Sequence, residues 1–204
     1  ETIYYHAFEG SSITEITIPR SIKSIPIRVF KDCLNLKTVN FENGDLNAAT
    51  HPDTVSQLTI IGAYAFENSG VQTIKFPSNL TTICEGAFKG SALTKIAYNG
   101  NCTLRTIDKS AFENCAELVE MNQSFDRVSI ISENAFSGCE KLKTISTGNF
   151  VETISAGAFK NTKALVSVTF DNVKMIGKQA FAGSGLIRFT VTQFKEIKEE
   201  YAKF

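Results

Sequence analysis

The stretch IGAYAFENSGVQTIKFPSNLTTI, residues 61–83, holds every element that the rest of the chain repeats. It opens on Ile61, reaches Ala65-Phe66, continues through Val71, Ile74 and Phe76-Pro77, and closes on Leu80 and Ile83. Working outward, the Ala-Phe step recurs as Ala7-Phe8, Val29-Phe30, Ala87-Phe88, Ala111-Phe112, Ala135-Phe136, Ala158-Phe159 and Ala180-Phe181. The Phe-to-Phe intervals are 22, 36, 22, 24, 24, 23 and 22 residues. A fixed period with apolar residues at fixed offsets marks a repeat array, in which each unit buries its apolar edge only by stacking on its neighbours.

Within each unit the segment Leu-x-x-Ile-x-Phe alternates apolar and polar residues, the period of a half-buried strand. Val71-Ile74-Phe76, Leu93-Ile96-Tyr98 and Leu165-Val168-Phe170 are instances, and the strands are expected to stack as one parallel sheet. Pro19 and Pro77 follow directly, where a missing amide donor ends ladder pairing. A second apolar pair, such as Leu80-Ile83, Leu104-Ile107 or Val128-Ile131, should build the opposite wall. The segment from there to the Ala-Phe step leaves room only for a helical turn or a 3₁₀ segment. Its Phe should point inward, giving an aromatic spine. The expected fold is a leucine-rich-repeat solenoid, a right-handed superhelix with a stacked parallel β-sheet and short turns or 3₁₀ segments on the opposite side. It forms a single domain over residues 1–204 of about eight units, with an insertion near 43–56. The insert is rich in Asn, Asp, Ala, Thr and Ser and reads as a surface excursion.

Composition narrows the function. Lys+Arg and Asp+Glu both number 21, so no net field exists to gather nucleic acid or an anionic membrane surface. No apolar run approaches the roughly 18 residues that span a bilayer. Ile3, Ala7 and Phe8 match the second half of a unit, and Phe194, Ile197 and Tyr201-Ala202 resemble one that stops short. Open solenoid ends expose core, so further repeats, a cap or an anchor are expected beyond one or both ends.

Cys33, Cys115 and Cys139 each stand three residues after the repeat Phe, where other units carry Ser11, Ser69, Ser91, Thr162 and Ser184. The position wants a small side chain, and buried inert thiols fit it better than a disulfide or a metal site. His6 and His51 are not placed to complete a zinc set, and no nucleophile elbow, HExxH or phosphate loop occurs. Glu85, Asp108, Glu133 and Glu152 lack a pairing that would suggest glycoside hydrolysis. The reading is of no enzyme and no cofactor.

Ile83-x-x-x-Ala87-Phe88-x-x-Ser91-x-Leu93-x-x-Ile96 and Ile131-x-x-x-Ala135-Phe136-x-x-Cys139-x-x-Leu142-x-x-Ile145 resemble the BspA-like leucine-rich repeat family over nearly the whole chain. The chain departs from that pattern in its oversized second unit and in losing the strand-ending Pro after Tyr98. The resemblance implies a secreted or surface-attached bacterial protein, extracellular in location, that adheres to host matrix proteins, host cells or other microbes. A spacer that projects another domain, or a glycan-active enzyme, are the alternatives.

If the strand Ile and Phe turn inward, the residues between them face out. That stripe includes Thr73, Lys75, Lys95, Glu120, Asn122, Thr144 and Arg188, the candidate partner-binding residues. It is short-chained and lacks aromatic anchors, which favours weak, multivalent contact with a protein or glycoprotein.

Overall fold

The structure is a computed structural model that describes residues 2–43, 55–98, 103–121, 127–145 and 150–191. Within them the strands run, in chain order, β1 (Glu15–Ile18), β2 (Ser24–Ile25), β3 (Thr38–Phe41), β4 (Ile60–Ile61), β5 (Thr73–Phe76), β6 (Thr82–Ile83) and β7 (Lys95–Tyr98). They continue with β8 (Thr106–Ile107), β9 (Glu120–Met121), β10 (Ile130–Ile131), β11 (Thr153–Ile154), β12 (Ser167–Phe170), β13 (Met175–Ile176) and β14 (Arg188–Val191). The described residues form a parallel β-solenoid without a helix.

Every pairing is parallel and joins equivalent residues one unit apart, such as Ile74 with Ile96 and Ile61 with Ile83. Matching registers place like on like, so the Ile and Leu positions become ladders along the core. Among the described residues, the strands on the Leu-x-x-Ile-x-Phe side pair as separate ladders and not as the single sheet expected. They fall into three ladders, β1 with β3, β5 with β7 and β9, and β12 with β14. The uninterrupted sheet is the opposite one, where the short strands join seven deep in the order β2, β4, β6, β8, β10, β11, β13.

The segment between the walls is a short turn, one of the two forms expected, and not a 3₁₀ segment. Each turn enters the left-handed region twice, for example at Tyr64 (φ 56) and Asn68 (φ 53) around Phe66, and at Gly86 (φ 58) and Gly90 (φ 66) around Phe88. Alternate amides of the turn point to the next unit, since Tyr64, Phe66 and Asn68 donate across while Ala65 and Glu67 donate locally to Gly62 and Tyr64. The Phe amides accordingly donate across units, Phe66 to the Ala87 carbonyl at 2.7 Å and Phe88 to the Ala111 carbonyl at 2.8 Å. The turns therefore stack as a third hydrogen-bonded wall.

Inside, the eight repeat phenylalanines form the expected spine. Successive ring centroids lie 5.0–5.5 Å apart with interplanar angles no larger than 21°, the offset-stacked range for aromatic pairs. The spine crosses the oversized unit without a gap, since Phe30 and Phe66 stack at 5.1 Å although 36 residues separate them. Interior members are fully buried, whereas Phe8 and Phe181 at the ends of the spine are half-buried.

Beside the spine runs the row of small residues. Cys33, Cys115 and Cys139 are buried, and their Sγ atoms donate to the carbonyls of Phe8 (2.8 Å), Phe88 (3.0 Å) and Phe112 (3.1 Å) in the preceding unit. Burial pushes the Cys115 thiol up to about 12, so it stays protonated at neutral pH. Cys33, Cys84, Cys115 and Cys139 are free thiols. Ser69, also buried, finds no partner for its hydroxyl among the described residues.

That row also divides the units into two kinds. Units with Ser11, Ser69, Ser91 or Ser184 place one residue before the next core aliphatic, as in Ser69-Gly70-Val71. Units with Cys33, Cys115, Cys139 or Thr162 place two, as in Cys115-Ala116-Glu117-Leu118. Where a short unit follows a long one it carries glycine, at Gly70 and Gly185, against the backbones of Leu34 and Lys163. Short after short tolerates a side chain, at Ala92.

Candidate functional site

The alternation in β5 (Thr73, Lys75 out; Ile74, Phe76 in) is repeated in the other long strands, so the outward stripe lies where the sequence places it. Thr73, Lys75, Lys95, Thr144 and Arg188 are exposed, and Glu120 is half-buried. Register brings Thr73 beside Lys95, Lys95 beside Glu120, and Glu120 beside Thr144, giving one continuous row across four units. Arg188 stands apart on another ladder, next to Ser167. Asn122 and residues 44–54 of the insert lie outside the described residues.

Electrostatics change the reading of Lys95. Its Nζ sits 3.0 Å from Glu120, so the two enter the surface as a matched pair and Lys95 is not an open cation. The same arrangement recurs elsewhere on the solenoid between residues about one period apart. Lys31 pairs with Glu67, Lys89 with Glu113, Lys109 with Glu133, Lys141 with Glu117, Lys163 with Glu140 and Lys174 with Glu152. Each exposed pair contributes little stability, but together they neutralise the surface unit by unit. Carboxylates that looked scattered in sequence are engaged, Glu85 included, which accepts the Tyr64 hydroxyl at 2.6 Å and holds that phenol above its usual range.

Hydroxyls divide between the faces. Around the short-strand sheet, Thr59 donates to the Lys23 carbonyl (3.1 Å), Thr81 to Thr59 (3.0 Å), Thr103 to Ser78 (2.6 Å) and Ser132 to Ile107 (2.7 Å). On the long-strand stripe the hydroxyls of Thr38, Thr73, Thr144 and Ser167 have no partner among the described residues, although Thr94, just before β7, donates its hydroxyl to the Gln72 carbonyl at 3.0 Å. Such hydroxyls keep both donor and acceptor capacity for an incoming partner. The sequence showed a Thr-rich stripe but not this division, which depends on carbonyls supplied by the neighbouring unit.

The described residues contain no group of three or more His, Cys, Asp or Glu that could hold a metal ion. Among the described residues there is no helix long and apolar enough to cross a membrane.

The BspA type leucine-rich repeat model matches the chain in six copies, covering residues 1–48, 40–124 and 59–188. The chain belongs to this family. No curated protein matches it. Among solved structures, a leucine-rich repeat protein from Bacteroides ovatus superposes with a TM-score of 0.67 at 24% identity, covering 88% of this chain and 45% of that one. The pneumococcal vaccine antigen PcpA superposes at 0.53 with 21% identity, covering 91% and 52%. A leucine-rich repeat protein from Eubacterium ventriosum gives 0.54 and 21%, covering 92% and 61%. At these identities the likeness is one of fold. The BspA-type chain spans about half the length of these relatives.

Proposed function

We propose that this BspA-type solenoid is a non-enzymatic adhesion module of a bacterial surface or secreted protein, binding protein or glycoprotein ligands of a host matrix, a host cell or another microbe. The observation that carries the reading is the long-strand stripe, a row of outward side chains on hydrogen-bonded backbone in which the Thr38, Thr73, Thr144 and Ser167 hydroxyls have no partner among the described residues. Family membership supports it, since units that cannot fold alone typically serve as extended interaction surfaces. No aromatic side chain stands among the described residues of the stripe, so a single copy binds weakly and strength comes from many copies on one cell. A non-binding spacer would tolerate charge reversal anywhere on its surface.

The test uses multimerised protein on immobilised matrix proteins and on host cells. The Lys75→Glu, Lys95→Glu variant should lose adhesion about tenfold or more, because reversal also sets like charge at residue 95 against Glu120. Deletion of the insert separates its contribution from that of the stripe. Undiminished adhesion in both variants would remove the stripe as the binding face.

A further inference from the structure

Each turn holds two left-handed residues, one two positions before the spine Phe and one two positions after it. At several of these positions the side chain lies over the same position of the following unit, and there the following residue is glycine. The Tyr64 ring covers Gly86, its Cδ1 2.5 Å from where a Cβ would stand, and Asn68 Oδ1 stands 2.5 Å from that point at Gly90. Asn114 covers Gly138, Asn134 covers Gly157 and Asn161 covers Gly183 in the same way. In two places where successive units both carry side chains, a particular contact joins them. The Arg28 guanidinium sits over the Tyr64 ring at 5.7 Å, and Asn68 Nδ2 donates to Asp32 Oδ1 at 3.0 Å.

We propose that these two rows form a steric key that fixes which unit stacks on which. The spine Phe and the Ile ladders are shared by all units and would accept many orders, so discrimination must come from features that differ between units. The Phe88 unit is the only one with glycine at both positions, Gly86 and Gly90. It is therefore the only seat for the unit carrying Tyr64 and Asn68. Skipping one unit would set the Tyr64 ring against Ser110 and Asn68 against Asn114; skipping two would set the ring against Asn134. The ring cannot swing aside cheaply, because its hydroxyl is held by Glu85 at 2.6 Å and its face by Arg28.

A double-mutant cycle separates this contact from the ordinary preference of glycine for positive φ. Gly86→Ala introduces a Cβ in the left-handed region whatever covers it, while Tyr64→Gly removes the cover. In the Tyr64→Gly background Gly86→Ala should lower the thermal midpoint by about 3 °C, the strain of a left-handed alanine in a chain of this size. With Tyr64 present the same substitution should lower it by about 6 to 8 °C, or prevent folding. Equal shifts in the two backgrounds would overturn the key. If neither Gly86→Ala protein folds, the cycle of Gly90→Ala with Asn68→Gly decides. It should show the same inequality at smaller size, since the Asn68 amide can rotate at the loss of its bond to Asp32; equal shifts there would likewise overturn it.

Discussion

Phe112→Ala should destabilise the protein by about 3 to 5 kcal/mol, the cost of removing a fully buried aromatic ring whose surroundings cannot collapse. Phe112 has no exposed surface and is held between Phe88 at 5.5 Å and Phe136 at 5.3 Å, so truncation leaves a void open to two rings. Phe8→Ala should do less. Phe8 is half-buried and stacks on Phe30 alone within the spine. Denaturant midpoints and slopes for the two variants measure the difference, and equal small losses would contradict a core made of stacked units. Because a solenoid gains stability from nearest neighbours, the interior variant should also broaden the transition as the array divides at the fifth unit.

Gly70→Ala should cost about 2 to 4 kcal/mol, though it adds a single methyl group. Gly70 lies where a short unit stacks on a long one. The extra residue of the long unit brings the Leu34 carbonyl over Gly70, so an added Cβ would overlap the oxygen and lie 2.9 Å from the carbonyl carbon. Backbone cannot yield as a side chain tip can, and the Gly70 amide is tied to the Cys33 carbonyl at 3.0 Å. Gly10→Ala is the control, since a Cβ there would meet nothing within 4 Å and the substitution bears only positive-φ strain of about 1 to 2 kcal/mol. Equal losses at residues 10 and 70 would show that the long-to-short junction imposes no constraint of its own.

How much of this was readable beforehand depended on whether a feature belongs to one unit or to a pair. The Phe spine and the in–out alternation of Thr73-Ile74-Lys75-Phe76 belong to single units and recur at fixed offsets, so spacing alone exposed them. The doubly left-handed turn stayed hidden because Tyr64, Gly86, Ser110, Asn134 and Gln179 share a backbone conformation and no side-chain chemistry. Of the two forms expected there, a short turn or a 3₁₀ segment, the turn is the one present. One-residue differences between Ser69-Gly70-Val71 and Cys115-Ala116-Glu117-Leu118 were visible, but their meaning lies in which unit stacks beneath. The Lys–Glu pairs left a usable signal, opposite charges one period apart, as in Lys89 and Glu113 or Lys109 and Glu133. Within the candidate site, the outward direction of Thr73, Lys75 and Lys95 was legible from strand period. The pairing of Lys95 with Glu120 and the division of hydroxyls between engaged and open were not, since both depend on the neighbour.

That division supplies the most direct measurement. Two triple variants are compared for thermal midpoint and for adhesion of the multimerised protein. Thr38→Ala, Thr73→Ala, Thr144→Ala removes hydroxyls that engage no described partner, and Thr59→Ala, Thr81→Ala, Ser132→Ala removes hydroxyls bonded to the carbonyls of preceding units. The first should keep its midpoint within about 2 °C and lose adhesion, while the second should lose several degrees, at about 1 kcal/mol per lost hydrogen bond, and keep its adhesion. Full adhesion in the first variant together with lost adhesion in a folded second variant would contradict the account and place the binding face on the seven-stranded sheet.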